Sequence, residues 1–484
     1  MLIPRGRASD GRRDLGDRGV HQQLALDLDR GDDPVAPGSC LDAIAEPAMS
    51  VDVDLAKGDP RLGHLALETP AVAAPHGGVH GDRLLHPSYP LVLLCERADR
   101  REHVAAIGCR RGSILPEPIP PPFPKPHRDI HKRRNGSRRV RAVVFAGSGK
   151  VRVDDVAEPT LVEPGDALVR VDLGSICGSD LHLLSGKTPG LKPGSVIGHE
   201  FLGRVTEVAD GTSLTAGDRV VGSFLIACGS CDRCANGRFN FCLKRRALGT
   251  GELTGDLDGA QAEYVRVPVA DVNLRRIDDS LSDERALFVG DILTTGIYGA
   301  RLTGAGDGDV AVVVGAGPVG LFAALALRRI GTRVIVVDTN ARRASWAAAV
   351  LGLEVVGGAE HPEEAIVNLT GGAKADVAID AVGAIPALKA AMRCVREAGR
   401  VVVLGVYGAE RLDLAMGRAW VSGLDLRFAG MANIQGHWAD ALDAVSAGEI
   451  DPTTLITHRL SLDDAEQGYE LFASQEAIKV VLTP

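Results

Sequence analysis

Strand-like alternation of apolar and polar positions begins abruptly at Val140, in VRAVVFAGSGKVRV. Short β-rich runs follow, separated by Gly, Pro and Asp turns, as in Ala167–Asp172 (ALVRVD) and Arg219–Gly222. From about Leu293 the pattern changes to strands alternating with alanine-rich helices, which predicts a parallel, doubly wound α/β sheet. Val310–Val314 reads as a buried strand, the LFAALALRRIG that follows Gly320 as a helix, and Arg333–Val337 as the next strand. No repeat of 20–50 residues is visible.

Residues 1 to about 138 show neither period. They hold 16 of the 26 prolines but only two aromatics, Tyr89 and Phe123, so they offer little large apolar surface to offset ordering entropy. A disordered extension is expected there. It closes with the Pro-rich stretch Pro116–Pro126, suited to polyproline II, and a basic run, His127–Arg141. That run reads as a solvated linker, with a nucleic-acid or targeting patch as the alternative. The sharp change near Val140 also raises the expectation that translation starts there and the extension is an artefact.

At 484 residues two or three domains are expected. A composition 45% hydrophobic and 24% charged fits a soluble globular protein, and a net charge of −9 argues against a generic nucleic-acid binder. No run approaches the ~18 apolar residues that cross a bilayer, and the N-terminus lacks the apolar core of a secretory signal. Nine cysteines, four of them within fifteen residues, fit metal ligation in a reducing compartment better than disulfides, so a cytoplasmic protein is expected.

Those four are Cys228, Cys231, Cys234 and Cys242, in a C-x2-C-x2-C-x7-C array. Two-residue spacers turn successive thiolates onto one point, and four of them close a tetrahedral zinc shell with no position left for chemistry. A disulfide pair or an iron–sulfur cluster is the alternative. Upstream stand Cys177, in ICGSDLH, and His199–Glu200, in IGHEFLGRV. A catalytic zinc needs three protein ligands and one exchangeable position; Cys177 and His199 supply two, and Asp291, in FVGDILTTGIYG, can supply the third. The turn Gly315-Ala-Gly317-Pro-Val-Gly320 follows a strand and opens a helix, and the second strand ends in Asp338. This is a dinucleotide fingerprint: the glycines permit a tight turn and close approach to pyrophosphate, which the helix N-terminus attracts. The Asp338 carboxylate would accept from ribose hydroxyls and repel a 2′-phosphate, favouring NAD over NADP, although Arg342 and Arg343 could serve that phosphate.

Together these segments resemble the zinc-dependent medium-chain dehydrogenases, the alcohol dehydrogenase group, from about residue 139 to the end. The motif GHE-x2-G is intact at Gly198, His199, Glu200 and Gly203, while Ala209 and Thr212 stand where glycine and a smaller or apolar residue are common. The resemblance implies that Cys177 and His199 bind catalytic zinc. Asp291 stands where cysteine is common, as in formaldehyde-dehydrogenase-like branches, and ranks above Glu200, which matches a residue beside the metal that ligates it transiently. Ser179 matches the hydroxyl that bonds to the substrate oxygen, and His182 the surface end of a proton relay, against the plainer reading of an exposed histidine. Asp180 matches the carboxylate that orients the zinc-bound histidine. Arg343 would touch the ribose, Thr295 and Val319 would pack near nicotinamide, and Lys479, in AIKVVLTP, would approach pyrophosphate. Gly178 stands where some members place a phosphate-binding residue.

The implied architecture is a GroES-like β-rich catalytic domain (139–292), a Rossmann domain (293–425) and a return segment (426–484) that completes the first, with the active site in the cleft. The implied activity is hydride transfer between an alcohol, or an aldehyde in reverse, and NAD(H), with two Zn2+ per chain. A small-molecule substrate and a homo-oligomer are implied, without nucleic-acid or membrane partners. The alternative is a non-catalytic NAD-binding regulatory protein that keeps the fold and the structural zinc.

Overall fold

The computed structural model describes residues 138–484; the expected disordered extension lies outside the described residues. The alternation at Val140 becomes a hairpin of β1 (Arg139–Gly147) and β2 (Lys150–Ala157). β3 (Ala167–Ser175), β4 (Glu200–Val208) and β5 (Arg219–Gly222) form the heart of an antiparallel sheet. After a small pair, β6 (Leu225–Ile226) with β7 (Arg246–Ala247), the strands β8 (Tyr264–Val267) and β9 (Leu274–Arg276) rejoin that sheet.

The helix Ile292–Thr303 then leads into the second domain. Its strands are β10 (Val310–Val314), β11 (Arg333–Asp338), β12 (Glu354–Gly357), β13 (Ala375–Asp380), β14 (Val395–Val403) and β15 (Asp425–Phe428). All six pair in parallel, in the order β12-β11-β10-β13-β14-β15. Strands buried on both faces need continuous apolar runs, which is why VAVVV sits at the centre beside ADVAID. The strand order reverses between β10 and β13, and at such a switch point a crevice opens beyond the carboxyl ends of the strands.

The chain returns through the helix Ile434–Ser446, β16 (Ile456–Ser461) and β17 (Lys479–Thr483). β17 lies between β16 and β3 and completes the catalytic sheet. The expected boundary at 425/426 falls inside β15, because this edge strand still belongs to the parallel sheet; the catalytic sheet regains the chain only at β16. The largest core runs through both domains, joining Leu173 and Leu202 to Phe288, Leu293 and Phe322. Among the described residues no helix is long and apolar enough to cross a membrane.

Candidate active site and dinucleotide crevice

The β3/β4 register pairs Ser175 with Glu200, so Cys177, just past β3, and His199, just before β4, are neighbours despite their separation in sequence. Asp291 arrives as the N-terminal cap of the helix Ile292–Thr303. One ligand atom from each of Cys177, His199 and Asp291 lies within 4.8 Å of the others, and all three residues are buried. Cys177 Sγ is 3.8 Å and His199 Nε2 3.3 Å from Asp291 Oδ2.

Each donor is held from behind. Asp180 accepts the Cys177 N–H at 2.9 Å and lies 3.2 Å from His199 Nδ1, leaving Nε2 to face the centre. Gln261 Nε2 donates to Asp180 at 3.3 Å, and the Tyr469 hydroxyl donates to Gln261 Oε1 at 2.8 Å. Gly198 makes room for this support: at φ +86°, a Cβ there would lie 2.3 Å from Gln261 Cγ. Thr295 Oγ1 donates to Asp291 Oδ1 at 3.1 Å.

The charges fit a divalent cation. Burial, then Glu200 and Asp291, push the Cys177 thiol up, so three acidic groups converge in a dry place. Burial opposes charge on His199, but Asp180 and Asp291 outweigh it and raise its proton affinity. Lys479 pairs with Glu200, and a zinc ion bound by Cys177, His199 and Asp291 would offset the acid that remains at those three donors. Ser179 Oγ lies 3.0 Å from His199 Nε2, on the side the metal would face, and the Phe224 ring meets the imidazole edge-on at 6.0 Å. Ser179 and His182 lie on the short helix Gly178–Leu184 that Cys177 caps; His182 is half-buried there, and burial and Lys187 lower its pKa, against Glu410.

In the second centre, Cys228, Cys231, Cys234 and Cys242 place their sulfurs within 4.8 Å of one another. Cys231 Sγ is 3.5 Å from Cys234 Sγ and 4.0 Å from Cys242 Sγ, far beyond the ~2.05 Å of a disulfide. Four thiolates at ~2.3 Å around one zinc stand about 3.8 Å apart, which these spacings match and a multi-iron cluster would not fit. The N–H groups of Cys228 and Lys244 both donate to Cys242 Sγ at 3.3 Å, and Leu243 and Cys234 amides draw the Cys231 thiol down to about 6. Backbone amides thus favour the thiolate, the form that binds metal, at Cys231, whereas burial outweighs them and pushes the Cys242 and Cys234 thiols up. The lobe docks on the second domain, where Asn240 donates to Met431 O at 2.9 Å and Asn433 to Gly237 O at 2.8 Å.

At the crevice, Gly315 adopts φ +109°, and a Cβ on Gly320 would lie 1.9 Å from Gly315 O, so this turn requires both glycines. Gly317 caps the helix Pro318–Arg329, with Val319 partly buried beside it. Asp338 accepts Ala316 N–H and Asn340 N–H, each at 2.7 Å, which fixes its carboxylate at the end of β11. Asn340 in turn caps the helix that carries Arg342 and Arg343. Arg343 is partly buried, its Nε has no partner, and burial lowers its pKa against the pull of Asp338.

Residues 163–276 match the model of the alcohol dehydrogenase GroES-like domain, and residues 318–447 that of the zinc-binding dehydrogenase domain. The chain is 35% identical over 382 residues to an uncharacterized zinc-type alcohol dehydrogenase-like protein, AdhB, of Bacillus subtilis strain 168, covering 71% of this chain and 100% of that one. The chain belongs to the zinc-dependent medium-chain dehydrogenase family. Among solved structures, this dehydrogenase is similar to the alcohol dehydrogenase TADH of Thermus sp. ATN1, with TM-score 0.68 and 41% identity over 71% of this chain and 99% of that chain. It is also 32% identical over 390 residues to the glutathione-independent formaldehyde dehydrogenase of Pseudomonas aeruginosa strain LESB58, covering 71% of this chain and 97% of that one.

Two expectations for the dehydrogenase need correction. Lys479 is fully buried, with Nζ donating to Ile176 O at 2.7 Å and paired with Glu200, so it has no exposed ammonium to offer a pyrophosphate. Its strand lies inside the catalytic sheet, between β16 and β3, and turns the side chain inward. Glu200 correspondingly faces Lys479 and Ser175 and stands outside the three-donor group. Thr295, expected near nicotinamide, hydrogen-bonds to Asp291. Sequence reasoning missed Gln261, Asn340 and Lys187. A lone polar residue far along the chain carries no local signal of what it will support.

Proposed function

We propose that this dehydrogenase oxidises an alcohol, or reduces the matching aldehyde, with NAD(H) and two zinc ions per chain, one catalytic and one structural. The observation that carries the reading is the buried Cys177–His199–Asp291 group of three convergent donors. Three donors leave an exchangeable position, as a catalytic zinc requires and a structural one does not. A regulatory protein that had lost activity would gain nothing from keeping three convergent buried donors with an open position.

Zinc at these donors supplies a Lewis acid, and the dinucleotide supplies the hydride acceptor. The chain's own residues do the rest. Asp180 keeps His199 turned with Nε2 toward the centre, and Thr295 does the same for Asp291. The Ser179 hydroxyl, next to His199 Nε2, takes the alcohol proton and passes it toward His182. Burial and Lys187 lower the His182 pKa and so favour its neutral imidazole, the form that can accept the proton. Asp338, locked by two backbone N–H groups, offers its remaining lone pairs to ribose hydroxyls and disfavours a 2′-phosphate. Arg343, with an unpartnered Nε, completes that contact.

An aspartate at position 291 and the formaldehyde-dehydrogenase relative support small alcohols and aldehyde adducts as the first substrates to test. The reading includes a reducing, cytoplasmic setting and a homo-oligomer. β15 is a sheet edge with exposed Trp420 and Phe428 near it, a face a second copy could cover. The test is a screen of primary, secondary and polyol alcohols and formaldehyde adducts with NAD and NADP in parallel, alongside metal analysis. Two zincs and NAD-dependent turnover that Cys177→Ser abolishes are expected. One zinc per chain, or turnover undiminished in Cys177→Ser, would overturn the reading.

A further inference from the structure

The polar groups that cross between the domains include a cation the reaction does not use. Lys187 follows the Cys177 helix in the catalytic domain, and its Nζ donates to Gly383 O at 2.9 Å and Val406 O at 3.4 Å. It also pairs with Glu410 at 3.1 Å, both side chains being less than a third exposed. Gly383 and Val406 lie in the loops just beyond β13 and β14, where the parallel strands end at the crevice. These loops abut the glycine turn: a Cβ on Gly315 would lie 2.7 Å from Val382 Cγ2. On the catalytic side, His182 O accepts from Thr188 N–H at 3.2 Å and from Ser185 Oγ at 3.1 Å, folding the turn that carries Lys187 back toward His182.

We propose that Lys187 is a latch and a positioning residue: it clasps the dinucleotide domain to the His182 helix across the crevice and sets the electrostatic surroundings of His182. This rests on the reading of His182 as the proton acceptor and of the crevice as the dinucleotide site. A charge-assisted donor held by two backbone carbonyls and a carboxylate must be released for those loops to move away from the glycine turn, so the latch governs dinucleotide escape. It also joins that movement to proton transfer, because opening carries Glu410 away from His182 while Lys187, on the turn next to that histidine, stays with it. Burial and Lys187 hold the His182 pKa down and Glu410 holds it up; these are the charged groups that act on it.

The sign of each change follows. Lys187→Met removes a lowering influence, so His182 titrates at higher pH; Glu410→Gln removes a raising one, so it titrates at lower pH. Both variants cut the Lys187–Glu410 bridge, so both speed dinucleotide release. A merely structural role would not move one titration in opposite directions while moving release in the same direction.

The experiment uses the full zinc-loaded chain. NADH release is followed by stopped-flow fluorescence, the His182 titration by NMR, and hydrogen exchange in the segments around Gly383 and Val406. For Lys187→Met, NADH release about fivefold faster is expected, with faster exchange in both segments and a higher His182 pKa; Glu410→Gln gives a smaller acceleration. Lys187→Arg should restore most of the release rate. Release within twofold of the parent in Lys187→Met, or His182 moving the same way in both variants, overturns the latch. If the parent binds neither NADH nor NADPH, the proposed function fails, and NMR and hydrogen exchange still decide whether Lys187 joins the two domains.

Discussion

Replacing Lys479 with methionine separates a structural ammonium from a cofactor-binding one. Lys479 and Glu200 are both 0% exposed, and the ammonium also stands 5.5 Å from the Phe288 ring centre. Methionine would fill most of the volume and remove the charge. Glu200 would then be a buried carboxylate whose Oε1 already has no partner, on the acidic side of the centre with Asp291 and Cys177. Breaking one side of a buried pair costs about 3–5 kcal/mol. With an unfolding entropy of about 2 cal/mol/K per residue over the roughly 350 described residues, that corresponds to a Tm roughly 4–7 °C lower. The assay is a thermal scan of the zinc-loaded protein, with NADH affinity measured on the same preparation. Adding Glu200→Gln removes the uncompensated charge and should return at least half of the lost stability. A Tm unchanged in Lys479→Met together with weakened NADH binding would refute this reasoning and restore the pyrophosphate role.

Gly320→Ala forces a Cβ to 1.9 Å from Gly315 O, so NADH affinity should fall by roughly tenfold or more while metal analysis still finds two zincs; unaltered affinity would count against the turn as the phosphate site. Cys231→Ser should leave one zinc per chain and lower Tm, because the lobe that docks through Asn240 and Asn433 loses its closing ion. Asp291→Ala should also leave one zinc but abolish turnover with little change in Tm, which distinguishes the two centres. Asp338→Ser should shift preference from NAD toward NADP in parallel steady-state assays, and should cost about 1 kcal/mol through the lost Ala316 N–H acceptor.

What could be read in the sequence was local or modular. The glycine turn, its flanking strands and Asp338 are consecutive, so period and turn chemistry suffice for them. The four-cysteine array is likewise closed within one short segment. Cys177 and His199 were legible through the ICGSDLH and GHE-x2-G motifs just before the four-cysteine lobe, and one antiparallel register, Ser175 opposite Glu200, turns their separation along the chain into contact. Lys479 was not, because its meaning depends on which face of β17 is inward and on which strands flank it, and both are tertiary facts. Gln261 supports Asp180 from 81 residues away, and Lys187 reaches Gly383 across 196. No composition or spacing rule marks such residues. The boundary near residue 425 was misjudged for a related reason: β15 has a strand pattern that suits either sheet, and only pairing with β14 assigns it.

The placing of β17 between β16 and β3 sets an order of events during synthesis. Lys479 binds a carbonyl 303 residues earlier in the chain, at Ile176. At about 5–20 residues per second, a ribosome takes roughly 15–60 s to travel from one to the other. Throughout that interval the end of β3 at Gly174 and Ser175 lacks its β17 partner, while β8 covers the earlier residues, and the Glu200 carboxylate lacks the Lys479 charge. The Rossmann domain, continuous in sequence, can fold in the meantime and stand as a template.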